Sequence, residues 1–400
     1  AALSPEQSLV AETWRVVDKN FYDRRFNGIN WFEIRRELMS KKYPGGMPDV
    51  ERALTAELER LGDPYTRFLT PDKYNSIYAS ATGEIAGIGV SLAKENGAVL
   101  FVDVEPGAPA DKAGVKPGAR LLAVDGAEIL LPGQQPTTPQ ARTKVVEELD
   151  EVAGLLRGQP GSGLSVKLDQ DGKVEELKLS RQAIKISSVR AGQPARFTVN
   201  GKKIGNLRIK SFSGETATQV QNLLNSPDYR NVDILLLDLR SNGGGLITGA
   251  IDTAKLFLDF QKPIVTVVSG TGPLSYATDY APADEVSTKD ISPANPDLKR
   301  PLLVLVDKQT ASAAEVLSAA LQENDRAKII GASTEYTFGK GIIQTVQRLQ
   351  TGAGVAVTVA RYETPLGNSI NKKGVHVNEQ VACEIVDSGD KCLSRVASLP

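Results

Sequence analysis

Apolar residues in the first 80 positions recur with helical spacing. Leu9, Val10, Trp14, Val17 and Phe21 make one stripe. It is opened by Ser4-Pro5-Glu6, where the fixed φ of proline suits a first helical turn. Leu54, Leu58 and Leu61 make a second stripe over 49–61. A bounded connector, Asp63–Pro71, follows. Residues 1–80 are therefore expected to form an N-terminal helical domain that caps the rest.

The pattern changes at 81. Short apolar runs over 87–92, 99–104, 120–124, 165–168 and 174–179 are separated by Gly, Pro and Asn, as in a β-rich module. A short helix is expected over 109–114 and a longer one over 143–156, with a Pro- and Gln-rich loop at 131–140. From about 186 the chain reads as α/β. The runs 233–239 and 302–306 are almost continuously apolar, as strands buried on both faces are. Helices are expected over 246–260 and 312–323, a late alternating strand over 355–361, and a polar surface excursion over 272–299.

Composition narrows the function classes. A chain of 400 residues is long for one core, so two or three domains are expected. The 47 Lys and Arg nearly balance the 48 Asp and Glu, with no long basic block, which argues against a nucleic-acid or polybasic membrane role. No apolar run approaches the ~18–20 residues of a membrane span. No signal peptide is evident, and the opening Ala1-Ala2-Leu3, without an initiator Met, reads as a mature form cut from a precursor. Cys383 and Cys392 stand nine positions apart as either a local disulfide or two unrelated thiols; Gly389-Asp390 allows the turn a disulfide would need. With His376 as the one histidine, the usual zinc ligand set is missing, and no metal or other cofactor is expected.

That scarcity shapes the candidate chemistry. A serine hydrolase built from this chain needs a base other than histidine. Ser312, in Thr310-Ala311-Ser312-Ala313-Ala314-Glu315, follows the apolar run 302–306 and opens a helix. The same residues also read as a capping box, with Glu315 at its third position. A nucleophile at a strand-to-helix turn would have the backbone N–H of Ala313 beside it, where an oxyanion forms. Lys340, in Phe338-Gly339-Lys340-Gly341-Ile342, would ordinarily be a solvated charge. Its glycines permit close approach, and its apolar neighbours could lower its pKa below the ordinary lysine value, as a general base requires. Asp238-Leu239-Arg240-Ser241-Asn242-Gly243-Gly244-Gly245 follows another buried run, so Gly245 N–H is a second oxyanion donor, and Asp238 and Arg240 read as braces. In the β-rich module, Gly87-Ile88-Gly89-Val90 opens a strand where backbone N–H groups could gather on a carboxylate while the strand edge pairs with an incoming chain.

Together these elements resemble the carboxyl-terminal processing peptidases, serine proteases with an embedded PDZ domain. The resemblance runs from about Leu9 to Glu379. Its most specific parts are Ser312–Glu315, Phe338–Gln344, Asp238–Gly245 and Gly107–Gly126; Asp63–Pro71 and Tyr362-Glu363-Thr364-Pro365 also match family stretches. It implies an α/β multidomain protein: an N-terminal helical domain (1–80), a PDZ domain (81–185), and a crotonase-like α/β protease core with a C-terminal tail (186–400). It implies a Ser312–Lys340 dyad with Glu315 and Gln344 in support, Gly245 and Ala313 as the oxyanion hole, and Gly87–Val90 binding a substrate's free C-terminus. Arg157 falls where the family uses an arginine to sense an occupied PDZ domain. The run 355–365 looks like the photosynthetic branch, which trims the photosystem II reaction-centre precursor in the thylakoid lumen; a bacterial periplasm is the alternative location. Ala332–Tyr336 is a few residues longer than the family pattern, and Val377-Asn378-Glu379 replaces its usual Pro-Asp. The added length is expected to bulge into solvent and leave Lys340 beside Ser312. Two competing readings are a PDZ scaffold with an inactive core and a cysteine hydrolase using Cys383 and His376. The latter pair sits late, outside any strand-to-helix turn.

Overall fold

The computed structural model describes residues 3–82, 84–95, 97–146, 149–185, 187–270, 272–276, 296–383, 385–386 and 389–396. The chain divides into two compact units, one of 1–71 with 187–400 and one of 72–186. Among the described residues no helix is long and apolar enough to cross a membrane.

The first unit is built on a six-stranded sheet. Its order is Val189–Val199, Lys202–Ile209, Ile234–Asp238, Leu302–Val306, Ala327–Ala332 and Glu379–Val381. The first pair is antiparallel and the others are parallel. The two strands expected from continuous apolar runs lie at its centre, as burial on both faces demands. Leu235, Leu237 and Val304 face helices Ile247–Lys255 and Ala313–Glu323, while Leu236 and Leu305 face the tail helix Lys391–Val396. Parallel strands end at one edge of the sheet. The loops after Asp238, Val306 and Ala332 therefore emerge side by side, and these loops carry Gly245, Ser312 and Lys340.

The N-terminal helices are Pro5–Asn20, Trp31–Ser40 and Met47–Glu59. The Trp31–Ser40 helix escaped the apolar pattern, although Trp31, Ile34 and Leu38 bury one side of it. These helices share a core with Leu349, Ala353, Val355 and Val357. The expected helical domain of 1–80 is thus continuous with the protease core as far as residue 71, because its stripes find their apolar partner in a late strand. That strand, Gly354–Glu363, pairs antiparallel with Arg67–Leu69, with Ile342–Arg348 and with Thr266–Ser269. Within the connector 63–71, Arg67–Leu69 is therefore a strand of this sheet. Of the expected excursion 272–299, Gly272–Tyr276 is a strand paired with Thr266–Ser269, and 277–295 lies outside the described residues.

The second unit runs Val90–Glu95, Ala98–Val104, Ala119–Val124, Ala127–Leu130 and Thr143–Val145 across one sheet, with Gly163–Gln170 and Lys173–Ser180 continuing from Ala119–Val124. The helix expected over 143–156 is shorter, Leu149–Leu156. Thr143 and Val145, β-branched, lie instead in a strand parallel to Ala127–Leu130.

Cys383 and Cys392 are joined by a disulfide. The bond closes a short tail loop and withdraws Cys383 as a free nucleophile. Cys392→Ser is expected to lower stability by roughly 2–3 kcal/mol, on a chain-entropy basis. Chemical denaturation without reductant measures this, and equal midpoints for parent and variant count against it.

Candidate active site

Ser312 ends the turn between strand Leu302–Val306 and helix Ala313–Glu323, with φ 56° and ψ −121°. Side chains rarely adopt this left-handed backbone, and such strain persists only where neighbours impose it. They do so here. Ala311 N–H donates to Asn242 O at 2.9 Å, and Ser312 O accepts from Glu315 N–H at 2.8 Å and Val316 N–H at 3.0 Å. Ser312 N–H donates to Glu315 Oε2 at 2.8 Å.

Glu315 does more than cap its helix. Its fully buried carboxylate accepts four hydrogen bonds: Ser312 N–H and Lys340 N–H (2.9 Å) on Oε2, and Thr337 Oγ1 (2.5 Å) and Gly339 N–H (2.7 Å) on Oε1. The backbones of Ser312 and Lys340 therefore share one oxygen and lie within two hydrogen-bond lengths of each other. Burial pushes the Glu315 carboxyl above its ordinary value, and the four donors oppose that shift. A protonated carboxyl would have to turn one donor away, so the ionised form suits this nest.

The glycine loop lies against the same turn. Ser241 N–H and Oγ donate to the Asp307 carboxylate, and Thr310 Oγ1 donates to Leu239 O at 2.9 Å. A Cβ on Gly244 would meet Ser312 Cβ at 2.7 Å, and one on Gly245 (φ +133°) would meet Phe212 O at 2.1 Å. Only glycine allows this approach. Asp238 and Arg240 are both buried and paired at 2.7 Å, with Arg208 adding a second contact to Asp238, so they brace the loop as expected. Among the described residues, neither Gly245 N–H nor Ala313 N–H has an acceptor.

Lys340 is half-buried. Its Nζ lies 4.8 Å from the centre of the Tyr65 ring, and among the described residues no hydrogen bond joins it to Ser312 Oγ. Burial pushes its amine below the ordinary value and the Arg67 charge adds to this, while Asp63 and Glu315 pull it back. The buried Tyr362 donates its hydroxyl to Lys340 O. Burial and the Glu315 charge raise the Tyr362 phenol well above its ordinary value, and the Ser312 side chain opposes them. Gln344 sits at a bulge in strand Ile342–Arg348 and donates to Thr358 Oγ1 at 3.5 Å, so its amide holds the sheet. Tyr65, Thr337 and Tyr362 were not singled out from the sequence. Tyr65 and Tyr362 stand in stretches that matched the family pattern, but nothing local told what they would face.

The long connector Ala332–Tyr336 is exposed on one side and tied on the other. Ser333 N–H donates to Val381 O, its Oγ exchanges hydrogen bonds with Cys383, and Glu335 O accepts from Val377 N–H. Ser333, Glu335 and Tyr336 are exposed to solvent, and the loop is clamped at its base. His376 packs on Tyr336 and lies 3.6 Å from Glu335.

In the second unit, Gly87 ends one strand and Val90 begins another. Ile88 and Gly89 lie between, their carbonyls taken by Ala110 and Glu105 N–H, while their own N–H groups have no acceptor among the described residues. They open a groove of about 340 Å³ between strand Val90–Glu95 and helix Leu149–Leu156, walled by Leu92, Leu149, Leu156 and Ile184, with Arg157 beside it. Among the described residues the strand's outer edge is unpaired.

A strained serine at a strand-to-helix turn, a lysine tied to the same carboxylate, and an edge-strand groove in a separate β-rich unit are the arrangement expected of a serine peptidase with an embedded PDZ domain. Comparison agrees: residues 203–381 match the peptidase family S41 and residues 100–138 match a PDZ domain. The chain is 36% identical to the carboxyl-terminal-processing protease of Picosynechococcus sp., covering 96% of this chain and 85% of that one. It is 33% identical to the chloroplastic C-terminal processing peptidase of Tetradesmus obliquus, over 99% and 81%. A solved photosystem II D1 C-terminal processing protease superposes with a TM-score of 0.60 at 32% identity, covering 95% of this chain and 94% of that one. The chain belongs to the S41 family of carboxyl-terminal-processing serine peptidases.

Glu315→Gln would place an amide NH2 among four donors. It is expected to cost about 2–3 kcal/mol of stability, the price of leaving buried donors unsatisfied. Chemical denaturation tests this, and a loss below about 0.5 kcal/mol would contradict the role given to the carboxylate.

Proposed function

We propose that this peptidase removes a C-terminal extension from a precursor protein, with Ser312 as nucleophile and Lys340 as general base. The strained backbone of Ser312 carries this reading, since strain of this kind is kept where it aims a reacting side chain. Neutral Lys340 takes the proton from Ser312 Oγ as it attacks the scissile carbonyl. The oxyanion forms between the free N–H groups of Gly245 and Ala313. The Lys340 ammonium protonates the leaving amine, and a water activated by the same lysine releases the acyl group. Unliganded sites often hold such hydrogen bonds long, and they tighten with substrate. Glu315 positions both partners, and Gln344 steadies the strand after Lys340.

The groove at Gly87, Ile88, Gly89 and Val90 takes the substrate's terminal carboxylate on its free N–H groups, while the chain adds to the edge of strand Val90–Glu95. Arg157, beside that groove, reads its occupancy. The substrate we infer is the photosystem II reaction-centre precursor, and with it a thylakoid-lumen location; the likeness to a photosystem II D1 C-terminal processing protease supports this reading. The Cys383–Cys392 bond suits such an oxidising space.

Incubation with the precursor tail, followed by mass mapping of the cut, tests the substrate; an uncut tail would reject it. Ser312→Ala, Lys340→Ala and Lys340→Arg are each expected to remove nearly all cleavage while leaving the fold intact, because guanidinium keeps its proton at working pH. A folded Lys340→Ala near parent activity would refute the dyad. kcat/KM should rise with pH along an acid limb with its midpoint below the ordinary lysine value, since the base acts only when neutral. Amidating the substrate's C-terminus should slow cleavage; equal rates for acid and amide would reject carboxylate capture.

A further inference from the structure

The N-terminal segment reaches into the site. Asp63 accepts from Tyr65 N–H at 3.2 Å and from Thr66 Oγ1, and Thr66 Oγ1 accepts from Thr358 N–H at 3.0 Å. Arg67–Leu69 then pairs with Gly354–Ala356. This turn and strand hold the half-buried Tyr65 rigidly, with the face of its ring toward Lys340 Nζ at 4.8 Å. The Tyr65 hydroxyl makes no hydrogen bond among the described residues, so the ring face is what the residue offers the lysine.

We infer that Tyr65 is a positioning residue for the base, its ring forming the wall that keeps Lys340 Nζ in place and out of water. This rests on the Ser/Lys reading above. The groups that face Lys340 are Asp63, Tyr65 and Arg67 from the N-terminal segment and Glu315 from the nucleophile helix, with Tyr362 on the late strand at its carbonyl. Two effects of the ring oppose each other. Its face attracts the ammonium and so favours the charged form. Its bulk excludes water and so disfavours it. Burial is the leading influence on the lysine, and the ring at 4.8 Å is part of what buries it, so shielding is taken as the larger of the two effects.

The test is the pH profile of kcat/KM on a cleavable peptide for the parent, Tyr65→Ala, Tyr65→Phe and Lys340→Ala. Tyr65→Ala should move the midpoint of the acid limb up by about one pH unit, so activity at neutral pH falls roughly tenfold and the gap closes as pH rises. Tyr65→Phe, which keeps the ring, should hold the parent midpoint. An unchanged midpoint in Tyr65→Ala, at any level of activity, overturns the role, as does Tyr65→Phe shifting as far as the alanine. Where circular dichroism shows Tyr65→Ala unfolded, Tyr65→Gln carries the same expectation and the same refutation. Lys340→Ala separates the two ideas. If it cleaves, the dyad fails and the Tyr65 role with it; if it is inactive while Tyr65→Ala keeps its midpoint, only the Tyr65 role falls.

Discussion

The buried carboxylate of Glu315 is the constraint on which the active site depends. One anion satisfies the N–H of Ser312, the N–H of Lys340, the N–H of Gly339 and the hydroxyl of Thr337. A buried charge is tolerated only when its acceptor sites are filled, and here the donors come from two segments that are otherwise distant in sequence. The requirement runs both ways. The carboxylate needs both loops, and each loop needs the carboxylate, since the strain at Ser312 and the close packing of Gly339 are held in part by it.

The parallel sheet supplies the coarse placement and the hydrogen bonds refine it. Strands ending at Asp238, Val306 and Ala332 deliver three loops to one edge. Glycines at 244 and 245 then let backbone approach backbone where a side chain would collide. Tyr362 locks the Lys340 carbonyl from the antiparallel sheet, which the N-terminal helices cover. Lys340 thus meets parts of the chain from both ends of the sequence.

Much of this was legible beforehand, for physical reasons. Apolar runs marked the central strands because such strands are buried on both faces, and Ser312-Ala-Ala-Glu315 marked a helix start because capping is local. The helix at Trp31–Ser40 was missed because its stripe is short, and the strand at Thr143–Val145 was read as helix because it adjoins one. The separate helical domain was misjudged because a stripe tells which side is buried, not against what. Tyr65 and Tyr362 stayed silent for the same reason: their roles exist only across contacts far apart in the chain. The clamping of the long connector was not legible, because the anchors for Ser333 and Glu335 come from 377–383.

The unpaired edge of strand Val90–Glu95 carries a liability as well as a use. A row of free backbone groups beside an apolar groove is also a template for a second copy of the same chain. Two features limit that self-association. The strand is six residues long, so a pairing between copies gains few hydrogen bonds, and the exposed Lys94 puts a charge on the edge that any such pairing has to accommodate. A short, charged edge of this kind keeps a bare strand from becoming a seam for polymerisation.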